Sequence, residues 1–386
     1  MGSVQSFETP KRWGGRPGKI DAPLNKKLSK VKWGEYRLGD LFEIQNTLSF
    51  NADRLTFGSD YDYITRTSSN QGILQETGFV NKENINEAGT WSLGLLQMDF
   101  FYRRKPWYAG QFIRKIIPKF EITEGSVLFF TTLLNMQKPK LLSVLVRDVD
   151  KTFLNIVIRI PVLENGKIDF DFISSFIAEL EAERIKELEA YLAVAGLKDY
   201  VLTETERNAL YNYKNWEWNT FNLEDLFGKS TRGKRLKSAD RIPGELPFVT
   251  AGEADEGISD FIGNDVTVFS ENTTTIDMFG SAKYRNYRYG GDDHVAIVHT
   301  EALPKLASIF VTSAIHKSSH NGQFDYSKNF YAKDADALNI QLPSQNGLPD
   351  YDRMVTLISA IQKEVIKDVV LFANRKIEAA KEIVNK

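Results

Sequence analysis

The chain has 386 residues, 42% of them hydrophobic and 12% aromatic, and it contains no cysteine. Its length predicts about two or three domains, and the absence of cysteine excludes disulfides and thiolate metal sites. The net charge of −2 at pH 7 argues against a protein that binds phosphate backbones through an overall basic excess.

The first 32 residues show little hydrophobic periodicity and carry several basic side chains, so we predict an N-terminal arm or docking segment there. The sequence has no apolar signal-peptide core and no uninterrupted apolar run of about 18 residues. Together with the missing cysteines, these observations predict a cytoplasmic protein.

A long internal repeat dominates the rest of the chain. Residues 33–42 recur at 218–227, and each matching pair of residues is 185 positions apart. The same offset separates the later matches, which are 63–65 with 248–250 and 72–73 with 257–258. A single offset maintained over this length indicates one module that is present twice.

Each copy ends at an Asn-Gly turn signal, and a helical pattern follows. Inside the copies, short apolar runs such as 126–131, 142–146 and 308–311 predict strands. We therefore predict an α+β chain with two tandem mixed α/β domains, each followed by a long helix. The predicted segments are an arm (1–32), a first domain (33–166), a first helix (167–196), a linker (197–214), a second domain (215–348) and a second helix (349–386).

Both predicted helices carry an apolar stripe at helical spacing. Each stripe could pack on its own domain, but two such helices can also bury their stripes against each other as an antiparallel coiled coil. A helix over 169–195 would be roughly 40 Å long, more than the roughly 34 Å of one turn of B-DNA. The predicted interface comprises Ile173, Ile177, Leu180, Leu188 and Leu192 in the first helix and Met354, Ile358, Ile361, Val365 and Val369 in the second.

Several motifs resemble those of the type I restriction-modification DNA specificity subunits. Residues 33–42 and 218–227 resemble the start of that family's target-recognition domains, and 63–65 and 248–250 resemble its next strand. The stretches 279–282 and 290–295 resemble its later Gly-rich turn and Asp-His-Val strand. The first copy departs from this last pattern. The similar type IIB specificity subunits fit the sequence equally well.

The resemblance implies that each domain recognises one half of a split DNA site. It also implies that the helices act as a molecular ruler and dock methyltransferase subunits, with nuclease subunits fused to or accompanying them. The expected partners are thus double-stranded DNA and these subunits, with no membrane. A protein-protein scaffold that does not bind DNA is the alternative, favoured by the modest charge and by the acidic stretch 251–256.

Base recognition needs side chains with paired donors and acceptors, together with basic groups that contact phosphates. Four stretches supply them, and Arg232 to Lys237 forms the clearest basic cluster. The predicted DNA-contacting residues are Arg66, Thr67, Ser68, Ser69, Asn70, Gln71, Arg103, Arg104, Lys105, Trp107, Tyr108, Arg232, Lys234, Arg235, Lys237, Lys283, Tyr284, Arg285, Asn286 and Arg288.

No catalytic signature is evident in the sequence. The chain lacks any Pro-Pro pair, which removes the usual amino-methyltransferase motif, and Gly228-Lys229-Ser230 lacks the glycine of a phosphate-binding loop. His316 and His320 stand four apart without an evident third ligand, which favours an ordinary histidine pair over a metal site. We therefore predict no catalytic residue, metal or cofactor in this chain, and we expect S-adenosylmethionine in a partner subunit.

Overall fold

The computed structural model describes residues 23–384, so most of the predicted arm lies outside the described residues. The described chain divides into two compact units, 23–187 and 188–384. Between residues 23 and 384, no helix combines the length and the apolar content needed to span a membrane.

The first unit contains three small sheets. Strands β1 and β9 pair antiparallel, a second sheet has the order β2-β8-β5-β6, and the third has the order β4-β3-β7 with β3 and β7 parallel. Its elements are α1 (Pro23–Lys30), β1 (Trp33–Arg37), α2 (Leu38–Leu41), β2 (Phe42–Asn46), β3 (Tyr61–Ile64), β4 (Ile73–Thr77), β5 (Thr90–Gly94), β6 (Asp99–Arg103), β7 (Trp107–Ala109), β8 (Ile113–Pro118), α3 (Glu124–Asn135), α4 (Lys138–Leu142), α5 (Val149–Asn155) and β9 (Val157–Pro161). Helix α6 (Phe170–Val194) begins in this unit, and the division between the units falls within it.

The second unit also contains three sheets, with the orders β10-β19-β20, β11-β18-β15-β16 and β13-β12-β17-β14. Strands β12 and β17 are parallel. Its elements are α7 (Glu204–Asn212), β10 (Trp218–Asn222), α8 (Leu223–Phe227), β11 (Thr231–Arg232), β12 (Pro243–Val249), β13 (Ile258–Ile262), β14 (Val268–Phe269), β15 (Thr273–Asp277), β16 (Ala282–Arg285), β17 (Tyr289–Gly291), β18 (Val295–Val298), α9 (Lys305–Ser319), α10 (Ala332–Asp336), β19 (Asn339–Gln345), β20 (Leu348–Pro349) and α11 (Tyr351–Val384).

Corresponding strands pair in the same way in the two units. Trp33 of β1 lies opposite Pro161 of β9, and Trp218 of β10 lies opposite Pro343 of β19. The indole N–H of each tryptophan also donates to a backbone carbonyl five residues earlier. The repeat in the sequence therefore corresponds to a repeat of strand order and register.

The main core of each unit lies between a four-stranded sheet, β2-β8-β5-β6 in the first unit and β11-β18-β15-β16 in the second, and the helices of that unit. In the first unit it is rich in aromatic rings, with Phe42 at the centre of edge-on contacts to Trp91, Phe130 and Phe153. In the second unit it is mostly aliphatic. Smaller clusters fill the sheets that contain the parallel strands. These clusters fix the ends of the parallel strands, from which the candidate site projects.

Three predicted strands are wrong. Residues 126–131 lie in α3, residues 308–311 lie in α9, and 142–146 run from the end of α4 into a short turn. Helix α3 begins with a capping box in which Thr123 and Ser126 satisfy each other's backbone N–H groups. A short apolar run is compatible with a buried helix as well as a strand, and here length and capping favour the helix.

The segment predicted as a linker, 197–214, contains helix α7. Its N-terminus has a capping box formed by Thr203 and Glu206. Glu206 is 7% exposed and accepts hydrogen bonds from Ser359 Oγ at 2.6 Å and Lys363 Nζ at 3.0 Å, both in α11. The segment is therefore packed on α11 through polar groups.

Candidate nucleic-acid interface

The loop that follows β3 exposes a row of polar side chains at the end of a buried strand. All of residues 66–71 are exposed, whereas Tyr63 and Ile64 in β3 are buried. A hydrogen bond of 2.8 Å from the Thr65 N–H to the Gly72 carbonyl oxygen closes the loop. The backbone of the loop is thus held at both ends while its side chains face solvent.

The end of this loop is a left-handed turn. Asn70, Gln71 and Gly72 have φ angles of 46°, 53° and 78°, a conformation that L-residues rarely adopt and that costs roughly 1–2 kcal/mol per non-glycine residue. The same turn occurs after β12, where residues 255–257 have φ angles of 48°, 55° and 80°. Such a turn persists only where surrounding contacts hold it.

The second loop has the same backbone but different chemistry. The Thr250 N–H donates to the Gly257 carbonyl oxygen at 2.8 Å, as in the first loop. Its exposed side chains are the carboxylates of Glu253, Asp255 and Glu256, where the first loop carries Arg66, hydroxyls and amides. Carboxylates accept from cytosine, whereas arginine and amide side chains pair with guanine and adenine. The two loops are therefore suited to different bases.

Arg103 lies beneath the first loop. Its Nη2 donates to the Gln71 carbonyl oxygen at 2.6 Å, and its Nε donates to Ser92 Oγ at 2.9 Å. The side chain is only 2% exposed, and this burial lowers the pKa of the guanidinium to about 10, so it stays charged at neutral pH. Arg103 thus holds one of the strained residues of the turn in place from inside the unit.

Arg285 occupies the matching position in the second unit. It is 1% exposed, its Nε donates to Thr275 Oγ1 at 2.9 Å, and its Nη1 donates to the Tyr287 hydroxyl at 2.9 Å. Its Nη2 lies 3.8 Å from the position that a Cβ atom would take on Gly257. A buried guanidinium therefore lies beneath the left-handed turn in both units, and in the first unit it also donates a hydrogen bond to the turn.

The prediction of direct DNA contact is wrong for four residues. Arg103 and Arg285 are buried beneath the loops, and Trp107 and Tyr108 are fully buried in β7. The Tyr108 hydroxyl donates to the Asn81 carbonyl oxygen at 2.9 Å. The sequence suggested solvated basic-aromatic loops, but these stretches form strands whose aromatic rings fill the small cores. The four buried side chains therefore cannot reach a base.

Other predicted residues of these stretches have partners within the protein. Arg104 makes a bidentate ion pair with Glu124, which raises the pKa of Arg104. Lys105 pairs with Asp62 and Glu76. In the second unit, Lys283 pairs with Glu253 and Asp277, the Tyr284 hydroxyl donates to Asn272, and Asn286 and Arg288 are exposed.

The basic segment in the second unit remains available for phosphate contacts. Arg232, Lys234, Arg235 and Lys237 are exposed, and none of them forms an ion pair with any residue in the described part of the chain. The Lys234 N–H donates to the Gly291 carbonyl oxygen at 3.1 Å. The segment therefore runs along the end of β17.

The loops after β7 and β17 were not predicted as DNA contacts, although residues 290–295 contain the motif that resembles the family's Asp-His-Val strand. Residues 110–112 follow β7 and residues 292–294 follow β17. Because β7 and β17 run parallel to β3 and β12, these loops lie at the same sheet edge as the polar loops. The signal in the sequence was that each loop directly follows the second strand of a parallel pair, but the pairing itself was not evident.

The ends of the long helices contain part of the predicted helix interface. Leu192, with 1% of its surface exposed, packs against Val370 and Ala373 of α11 within the second unit, and Leu188 and Ile366 border this cluster. The predicted residues Ile173 and Ile177 are buried and Leu180 is partly buried.

The predicted stripe on the second helix is partly wrong. Val365 is 73% exposed, and Ile361 and Val369 are 41% and 38% exposed. Ile358 is partly buried, and Met354 is buried in the core of its own unit. The cluster around Leu192 contains Ile366 and Val370, each one position after the predicted Val365 and Val369. Helix α11 carries two apolar faces, and spacing alone does not distinguish the one that is buried.

The region that contains the first polar loop matches a known protein family. Residues 30–190 match the family model for the type I restriction modification DNA specificity domain. Residues 30–190 are thus similar to such a specificity domain. The chain is also 22% identical over 345 residues to the specificity subunit S.BcgI of a type II restriction enzyme from Heyndrickxia coagulans, a match that covers 87% of this chain and 96% of that protein.

A match to a solved structure covers both units. The S subunit of a type I restriction-modification system from M. genitalium superimposes with a TM-score of 0.57 and 14% identity, over 92% of this chain and 94% of that one. At this level of identity the match establishes a shared mixed α/β fold.

Proposed function

We propose that this chain is the DNA sequence-specificity subunit of a restriction-modification complex. In this proposal each unit recognises one half of a bipartite site, and the long helices dock methyltransferase subunits, with nuclease subunits fused to or accompanying them. The chain itself has no catalytic role, and S-adenosylmethionine binds to a partner subunit. The match of residues 30–190 to the specificity domain supports this function.

The observation that carries the proposal is the pair of loops after β3 and β12. Both end in the same left-handed turn above a buried arginine, yet one exposes Arg66 with hydroxyls and amides and the other exposes three carboxylates. A protein that recognises two different half-sites needs one backbone geometry with two sets of donors and acceptors. A scaffold that only binds proteins has no such requirement.

We also propose that α6 and α11 form the antiparallel pair that sets the distance between the half-sites. Helix α6 has 25 residues and so extends over about 38 Å at 1.5 Å per residue. The contact of Leu188 and Leu192 with Ile366, Val370 and Ala373 is the apolar packing that such a pair needs. Two domains held about one turn of B-DNA apart can then contact one face of a duplex.

A gel-shift experiment with the methyltransferase partner tests the proposal. Binding to random duplexes should appear at low salt and weaken as salt rises, and one sequence should retain binding at higher salt. A protein-protein scaffold would show no binding to duplex DNA at any salt concentration, which would refute the proposal. Methylome sequencing of a host that carries this chain and its partners would then give the two half-sites.

Exchange of the loops assigns each half-site to a unit. Replacing residues 66–71 by the sequence of 251–256 should abolish selection of one half-site and leave the other unchanged. The matched control is the reverse replacement, which should affect only the other half-site. If either exchange altered both half-sites equally, independent recognition by the two units would be wrong.

A further inference from the structure

The loops after β7 and β17 form a second row of side chains beside the polar loops. In the first unit, the Gly110 N–H donates to the Ile64 carbonyl oxygen at 2.8 Å, which joins this loop to the end of β3. In the second unit, the Asp292 N–H donates to the Val249 carbonyl oxygen at 2.9 Å. The two loops of each unit therefore begin at hydrogen-bonded positions of neighbouring parallel strands.

In the first unit this loop presents an amide and an aromatic ring. Gln111 is exposed, and Phe112 is 53% exposed with a φ of 62°. The Arg66 guanidinium lies 5.2 Å from the centre of the Phe112 ring, a cation–π contact. The Leu95 N–H donates to the Phe112 carbonyl oxygen at 2.9 Å, so the backbone is fixed. An exposed phenyl ring in a left-handed conformation is a costly arrangement for a surface without a role.

In the second unit the matching positions hold an acid and an imidazole. The side chains of Asp293 and His294 are 34% and 32% exposed, and His294 Nδ1 lies 3.0 Å from Asp293 Oδ1. Gly291 lies two residues before Asp293. Its carbonyl oxygen accepts a hydrogen bond from the Lys234 N–H of the basic segment. The basic segment thus borders this loop, and any phosphate that it binds would lie near Asp293.

We infer that Gln111 with Phe112, and Asp293 with His294, are further specificity-determining residues, each pair contacting a base beside those contacted by the polar loops. This inference rests on the proposed function. A glutamine amide pairs with the N6 and N7 atoms of adenine, a ring contacts the thymine methyl group, and a carboxylate accepts from cytosine N4. Gln111 therefore selects adenine in one half-site, and Asp293 selects cytosine in the other.

The test is selection of duplexes from a randomised pool by the complex of this chain with its methyltransferase subunit. Gln111→Glu replaces the amide by a carboxylate of the same shape, which removes the donor to adenine N7. We expect one position of one half-site to change from adenine towards cytosine, with about tenfold weaker binding to the original site. Binding to random duplexes at low salt reports that the variant is folded.

Two further variants make the result decisive. Asp293→Asn should change one position of the other half-site from cytosine towards adenine. Asn165→Asp makes the same amide-to-carboxylate change in an exposed turn after β9 and should leave selection unchanged. If Gln111→Glu and Asp293→Asn both select the wild-type site, the inference is wrong. If the wild-type complex selects no sequence, the proposed function fails instead.

Discussion

The two units carry their exposed basic groups at different places on the same backbone. In the second unit, the segment around Lys234 is basic and the loop 251–256 is acidic. In the first unit, Ser49 stands at the position of Lys234, 185 residues earlier, its neighbours are uncharged, and the loop 66–71 carries Arg66. The exposed positive charge thus lies in the loop in one unit and in the flanking segment in the other.

This difference shows which features the fold requires. The buried arginine, the hydroxyl that it binds and the glycine of the left-handed turn occur in both units and lie at or beneath the end of the loop. The exposed residues differ because they contribute little to folding, and surface substitutions usually change stability by less than about 0.5 kcal/mol. The exposed side chains of the loop can therefore change in one unit without altering its backbone.

The largest expected effect comes from removing the buried arginine. Arg103→Met leaves the Gln71 carbonyl group and the Ser92 hydroxyl without their charged donor, which should cost about 1–3 kcal/mol of unfolding free energy. Because the loop then loses its fixed conformation, selection of one half-site should be lost. Chemical denaturation and duplex selection measure the two effects.

Two controls accompany this variant. Arg103→Lys keeps the charge and should recover part of the selection, and Arg285→Met should affect only the other half-site. If Arg103→Met weakened binding to specific and random duplexes by the same factor, the arginine would have no role in positioning the loop.

The ion pairs that join a short helix to a long helix in each unit, α7 to α11 and α1 to α6, provide the next comparison. Hydrogen bonds from Ser359, the Thr203 N–H and Lys363 outweigh the effect of burial and lower the pKa of Glu206 from 4.5 to about 2. A lowered pKa stabilises the fold above the ordinary pKa, and this stabilisation is lost as pH falls from about 4.5 to 2. Glu206→Gln should therefore lower stability at pH 7 by about 1–3 kcal/mol and flatten the acid side of the stability curve.

The exposed pair Lys27–Glu179 of the first unit is the matched control. Glu179→Gln should change stability by about 0–1 kcal/mol, because exposed ion pairs contribute little. Thermal unfolding between pH 2 and pH 7 compares the two variants. An equal loss for both would show that the buried environment of Glu206 has no effect.

The glycines of the left-handed turns should give a smaller and nearly equal effect. Gly72→Ala and Gly257→Ala place a Cβ atom on a residue with a φ near 80°. This conformation should lower the free energy of unfolding by about 1–2 kcal/mol. The added atom lies 3.0 Å from the Thr65 carbonyl oxygen in one case and 2.8 Å from the Thr250 carbonyl oxygen in the other. Denaturant unfolding should thus show a slightly larger loss for Gly257→Ala.

Gly166→Ala separates the effect of conformation from that of contact. Gly166 has a φ of 81°, and a Cβ atom there would meet nothing within 4 Å. Its loss of stability should be the smallest of the three. A loss equal to that of Gly257→Ala would mean that the close approach to Thr250 costs nothing.

The smallest expected effect concerns the basic segment. Lys234→Ala should reduce the slope of log affinity against log salt by about 0.9, the value for one phosphate contact. Ser49→Ala, at the matching position, should leave the slope unchanged. A salt titration of duplex binding measures both, and equal slopes for wild type and Lys234→Ala would remove the phosphate contact from our proposal.

Much of the polar loop chemistry could be predicted from the sequence. The offset of 185 residues places Arg66 to Gln71 at the same position as 251–256, and the structure gives both segments one backbone. The side-chain environment of the following strands could not be predicted. Arg103 and Trp107 lie in a sequence that is typical of a solvated loop, and only strand pairing puts both inside.

The amino-acid sequence by itself determined the duplication, the positions of the long helices and the different chemistry of the two polar loops, because these follow from local residue types and from one constant offset. The tertiary structure decided which arginines are buried, which face of α11 packs and which loops share a sheet edge. Those properties depend on contacts between residues far apart in the chain, and such contacts leave no periodic pattern in the sequence.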